Sequence, residues 1–187
     1  MWWSDHRAAG RWTRLAVVLG AAGLLAGCFE PLYGSRPSLD GGSVHDKLAE
    51  VQVPSIGARQ GTPQARLAVG IHNALQFDLN GGAAPAAPTH RLEVNVTPTG
   101  FTVIVDTVTG RPTAQIAGIS ATYQLVEIAT GKVVLRDIAS VNVDYDVPGS
   151  QQRFAAARAQ HDAEDRAVQM AAEAIRNRLA SYFIAGT

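Results

Sequence analysis

The chain has 187 residues, with 16 basic and 16 acidic side chains, so its formal charge is zero and no overall basic field exists to hold a nucleic acid. Its single cysteine, Cys28, excludes both an internal disulfide and a cysteine-based zinc cluster. The length suits one domain with a proper core and is short for two.

Arg7, Arg11 and Arg14 precede the apolar run Leu15–Ala26, the order of a charged and then an apolar region in a secretory leader. The run is too short for an ordinary membrane-spanning helix. It ends in Leu25-Ala26-Gly27-Cys28, which resembles the bacterial lipobox: an aliphatic residue, two small residues that let a peptidase close on the backbone, and a thiol that receives the diacylglyceryl group. Residues 1–27 are therefore expected to be a lipoprotein signal peptide, with Cys28 as the lipidated first residue of the mature chain. Cleavage there leaves 160 residues with 13 basic and 15 acidic side chains, a net charge of −2. Each buried acyl methylene adds about 0.8 kcal/mol, so several chains on one residue give lasting attachment. Phe29, rather than an aspartate, follows Cys28, and by resemblance to known sorting rules this favours the outer membrane.

Residues 28–43 are rich in Pro, Gly and Ser and read as a lipidated tether, leaving 44–187 as a single domain. Ala49, Val51 and Val53 alternate with Glu50 and Gln52, which predicts a first strand stopped by Pro54. Leu67, Ile71, Leu75 and Leu79 fall on one helical face over residues 62–80, with Thr62-Pro63 as cap and first turn and Asn80-Gly81-Gly82 as the stop. An Ala/Pro linker, Ala83–Pro88, comes next. Three more alternating stretches follow: Leu92, Val94 and Val96; Ile119, Ala121, Tyr123 and Leu125; Ala139, Val141, Val143 and Tyr145. The second strand is expected to run on to Val105 past a bend at Pro98-Thr99-Gly100. Turns at 106–112 and 129–132 make the strands an antiparallel meander. Val168, Ala171, Ile175, Leu179 and Tyr182 mark a long helix over Gln151–Phe183, with Ser150 as its cap. The order β-α-β-β-β-α predicts an α+β two-layer sandwich, a four-stranded mainly antiparallel sheet with two helices on one face and a polar face opposite.

His161-Asp162-Ala163-Glu164-Asp165 is the densest group of potential acid–base or metal-binding side chains, with His161 and Asp165 one turn apart. The other reading, a solvated helix face beside Arg158 and Arg166, is favoured because a site needs ligands converging from other elements. His45, His72 and His90 show no metal spacing, and neither a phosphate-binding loop nor a G-x-S-x-G elbow occurs. Arg111, Lys132 and Arg136 lie at or near turns flanking the third and fourth strands, and alternation puts Arg136 on the polar face with Ser140 and Asn142. Such residues suit a lipid phosphate, although Arg111 and Lys132 stand at opposite ends of the third strand. Ordinary surface charge is the competing reading.

The stretch Gly27-Cys28-Phe29-Glu30-Pro31-Leu32-Tyr33-Gly34 resembles the mature start of the LptE family of lipopolysaccharide-assembly lipoproteins. The helix from Leu67 to Leu79, the turn Asp106–Arg111, the hairpin Ala121–Leu125 with Thr130-Gly131-Lys132, Tyr145 before a loop, and a last helix through Leu179 agree in order. One residue is missing between Cys28 and Phe29, and Gln115 stands near where the family leads one to expect an arginine. The resemblance implies a non-enzymatic outer-membrane lipoprotein without cofactor that plugs the LptD β-barrel and binds lipopolysaccharide, with Arg111, Lys132 and Arg136 as candidate contacts. Two alternatives stay open: an auxiliary lipoprotein of an ABC-type envelope lipid transporter, and a lipid-anchored hydrolase using His161 or Asp165.

Overall fold

The computed structural model describes residues 42–82, 85, 87–108, 110, 112–147 and 153–186, and for 101–104 and 112 the backbone only. The leader, Cys28, the motif that follows it, Arg111 and Ser150 lie outside the described residues.

A helix that the alternation did not predict comes first. In α1, Val44–Ala49, the Ser43 hydroxyl accepts from the Asp46 N–H at 3.1 Å and the Asp46 carboxylate accepts from the Ser43 N–H at 3.3 Å. This reciprocal cap and the burial of Val44 and Leu48 one turn apart outweigh the extended tendency of the region. Ala49 is thus helical, and the strand β1 is only Val51–Gln52, paired parallel to His90 and Arg91. Val51 and Val53 are buried as expected, but the ladder ends before Pro54.

Helix α2, Pro63–Asn80, begins and ends at the expected residues. Thr62 Oγ1 accepts from the Ala65 N–H, and Gly81 takes φ of 65° while its N–H and that of Gly82 close back on Phe77 and Gln76. That left-handed position suits glycine because it carries no Cβ. Leu67, Ile71, Leu75 and Leu79 are all buried, each contributing about 1.5–3 kcal/mol of apolar burial.

Strands β2 (His90–Val105), β3 (Pro112–Glu127) and β4 (Val133–Asp146) form the meander, so the sheet runs β1-β2-β3-β4 with one parallel and two antiparallel pairings. No bend interrupts β2: Pro98, Thr99 and Gly100 pair in register with Ile119, Gly118 and Ala117. β1 pairs only as far as Arg91, so among the described residues β2 is an edge strand at Pro98, where a missing N–H is tolerated. Gly118 is needed for a different reason. A Cβ there would lie 2.9 Å from the Thr99 carbonyl oxygen and 2.6 Å from Asn142 Oδ1.

Helix α3, Arg153–Ala185, lies beside α2 on the face formed by Leu92, Val96, Ile119, Ala121, Leu125, Leu135 and Ala139. Buried Ala163, Ala167, Ala171 and Ala172 let it approach closely, and Gly70 of α2 faces Val168. Near its end Phe183 is buried and Tyr182 only partly so, because the stripe Ile175–Leu179 continues in steps of four. Phe183 meets the His90 ring edge-on at 5.3 Å.

The two layers are unequal in length. Gln64, at the start of α2, donates to the Val96 carbonyl at 2.7 Å, yet β2 continues for nine more residues, roughly 30 Å at ~3.3 Å each. Alongside this overhang, the first ten residues of α3, 153–162, contain no buried side chain. No helix among the described residues is long and apolar enough to cross a membrane.

Candidate functional site

The outer face of the sheet carries Arg136, one of the three basic residues singled out by their turn positions; Lys132 sits in the turn before β4, and Arg111 lies outside the described residues. Register aligns Glu93, Gln124 and Arg136 in one row. Arg136 Nη2 donates to Gln124 Oε1 at 2.8 Å, and Gln124 Nε2 donates to Glu93 Oε2 at 2.7 Å, a polar ladder across three strands beside a shallow hollow of about 230 Å³. Arg136 is thus held in place yet exposed, with guanidinium donors to spare. Lys132, in the β3–β4 turn, is exposed and has no ion-pair partner among the described residues. Pro112 and Glu127 are the two ends of β3, roughly 50 Å apart at ~3.3 Å per residue, and Lys132 belongs to the Glu127 end. Arg91, on the same outer face one row from Glu93, escaped the turn-based reading, although its alternation with buried Leu92 signals it.

The carboxylate-rich turn of α3 is turned toward α2. Arg66 forms ion pairs with Glu164 and with Asp165, the latter at 3.0 Å, and Gln160 Nε2 donates to Glu164 Oε1 at 2.8 Å. Asp162 pairs with Arg166 at 3.0 Å on the helix surface. His161 Nδ1 stands 3.7 Å from Glu164, while Asp165 faces Arg66 rather than His161. Glu164 is the one buried charged residue among those described, and a buried carboxylate requires such a cation. The arrangement is a clasp between helices. Among the described residues no group of three or more His, Cys, Asp or Glu could hold a metal ion.

A cavity of about 390 Å³ opens where the helices stop short of the sheet, and no motif announced it. Its floor is the inner-face pair Gly100 and Ala117, its inner wall Pro63 and Leu67 of α2, and Gln160 and Glu164 of α3 line its helix side. On the sheet, the Tyr145 hydroxyl donates to Gln115 Oε1 at 2.5 Å. Burial pushes the Tyr145 phenol up from its ordinary range, so it is a neutral hydroxyl at physiological pH. Two small residues facing each other across β2 and β3 make the hollow, and only the strand register brings them together.

The family model of LptE, described as lipopolysaccharide-assembly, matches residues 48–179. No curated protein matches the chain. Among solved structures, the fold is similar to that of an inferred lipoprotein from Caulobacter crescentus CB15, at 19% identity and a TM-score of 0.57, covering 75% of this chain and 95% of that one. It is also similar to the rare lipoprotein B of Shewanella oneidensis, at 15% identity and a TM-score of 0.50, covering 70% of this chain and 93% of the other. At such identities these likenesses speak to the fold, whereas the family match extends from the end of α1 to Leu179, over both long helices and all four strands. On that match, the chain belongs to the LptE family of lipopolysaccharide-assembly proteins.

Proposed function

We propose that this protein is an outer-membrane lipoprotein, anchored through Cys28, that sits as a plug in an LptD-type β-barrel and binds lipopolysaccharide without catalysing a reaction. Family membership over residues 48–179 carries the reading. The surface chemistry supports it. The outer face presents Asn95 with Thr122, Thr97 with Ser120 and Ser140, Asn142 and Asp144, a mainly polar surface interrupted by exposed Ile138 and suited to the polar interior of a large barrel. Lys132 and Arg136 stand at one end of that face, where each can meet a lipid A phosphate by charge-assisted hydrogen bonds, and Arg111 is the third candidate. In this role Cys28 holds the domain at the membrane and touches no cargo. The 1–27 leader, the tether to residue 43 and the domain from residue 44 are the expected parts of this design.

Affinity capture of the intact lipoprotein from membranes in mild detergent tests the proposal. A large barrel protein recovered in stoichiometric amount is the expected result, and recovery of a free monomer alone overturns it. A Lys132→Glu/Arg136→Glu double variant separates cargo binding from plugging: it should weaken binding to lipopolysaccharide micelles in a salt-dependent way while the barrel is still recovered.

A further inference from the structure

We infer that the cavity beneath the overhanging sheet is a docking site for a polypeptide segment of the barrel partner, which inserts one apolar side chain and pairs its backbone with Gln115 and Gln160. The inference rests on the plug reading above and names the part of this chain that grips the barrel.

The cavity is neutral. Its one carboxylate, Glu164, is matched by Arg66, and Arg66 is also engaged by Asp165, so no unpaired cation is left for a phosphate. Two amide ends are free to pair. Gln115 spends one end on the Tyr145 hydroxyl and Gln160 spends one on Glu164, and the remaining end of each makes no hydrogen bond among the described residues. A peptide backbone supplies one N–H and one C=O to such a pair. An acyl chain lying there would cover the half-buried amide end of Gln115 and leave it unpaired, which is costly. A sugar ring would need partners for several hydroxyls, whereas the Tyr145 hydroxyl and the Glu164 carboxylate are already engaged and Pro63, Leu67, Pro98, Gly100 and Ala117 supply the apolar rest of the lining.

The volume is in the range of pockets that hold small ligands, and thus admits one large side chain with its flanking backbone. The hollow exists because Gly100 and Ala117 lack bulk, while the inner-face positions nearer the helices are filled by Leu92, Val96, Ile119 and Leu125. Among the described residues β2 has no sheet partner on its other side beyond Arg91, so an incoming segment reaches the cavity without displacing a described strand.

The test uses the full lipidated chain in membranes. Ala117→Leu fills the cavity from its floor, and Gln160→Trp blocks it from an exposed helix position, so a folding defect in the first leaves the second decisive. Each should lower barrel recovery at least tenfold relative to the unaltered chain, with Gln115→Ala lowering it less. A photoreactive benzoylphenylalanine at position 160 should crosslink to the barrel polypeptide. If the unaltered chain recovers no barrel, the plug reading fails and this inference falls with it. If the barrel is recovered equally with Ala117→Leu and Gln160→Trp, or if the crosslinker labels only lipopolysaccharide or nothing, the docking site alone is overturned.

Discussion

The end of the sheet under the helices and the end that runs past them are made of the same three strands but of different chemistry. Under the helices the inner rows Leu92–Leu125–Leu135 and Val96–Ala121–Ala139 are filled by α2 and α3, and Asp137, in the row between them, is paired with Arg178 of α3. Past them, the row Gly100–Ala117–Val143 is mostly small, and the next pairs Gln115 with Tyr145 by a hydrogen bond. The covered end carries the apolar burial that stabilises the fold. The overhanging end keeps polar groups and a hollow, the composition on which the proposed docking of a partner segment rests.

The contrast can be broken by stability measurements. Ile71→Ala, at a fully buried position of α2, should lower unfolding free energy by about 2–5 kcal/mol in a urea titration. Gly118→Ala, near the boundary between the two ends, should cost about 1–3 kcal/mol, because the neighbouring backbone at Thr99 cannot move away as a side chain can. Tyr145→Phe removes one hydrogen bond at the overhang and should cost about 0.5–1.5 kcal/mol by the same titration. A Tyr145 loss as large as that of Ile71 would mean the two ends share the stability.

Tyr123→Phe sharpens the comparison in a different way, with its effect confined to alkaline pH. Burial, and next the Asp137 carboxylate, push the Tyr123 phenol up from 10.0 to about 12, so the folded state holds the proton more tightly than the unfolded chain. The associated stability is complete below pH ~10 and is lost as pH rises through about 12. Thermal melts across that window should show a shallower decline for Tyr123→Phe than for the unaltered protein. Identical slopes would mean that Tyr123 is not the group linking folding to alkaline pH.

Much of the fold is legible in the sequence because single-element periodicity reports which side chains turn inward. Leu67, Ile71, Leu75 and Leu79 mark α2, its cap and stop are residues with local roles, and alternation assigns the two faces of β2, β3 and β4. α1 is too short for periodicity to reveal, and its capping pair Ser43 and Asp46 is a weaker signal than the alternation of the valines that follow. What the sequence hides is pairing between distant residues. Arg66 meets Asp165 across 99 positions, Gln124 meets Arg136 only in one strand register, and the cavity needs Gly100 opposite Ala117. Lys132 and Arg136 were visible as basic residues near turns, whereas Arg91 joined their face through strand alternation and register alone.

Hydrogen exchange of the amides, compared between the free protein and its complex with the proposed barrel partner, tests most directly whether a partner completes the overhanging end. In the free protein, amides of residues 99–105, 113–117 and 153–162 should exchange faster than those of Ile71–Leu79 and Ile119–Leu125, and in the complex they should gain most of the new protection. New protection confined to the helix-covered end, with the overhang unchanged, would contradict the account.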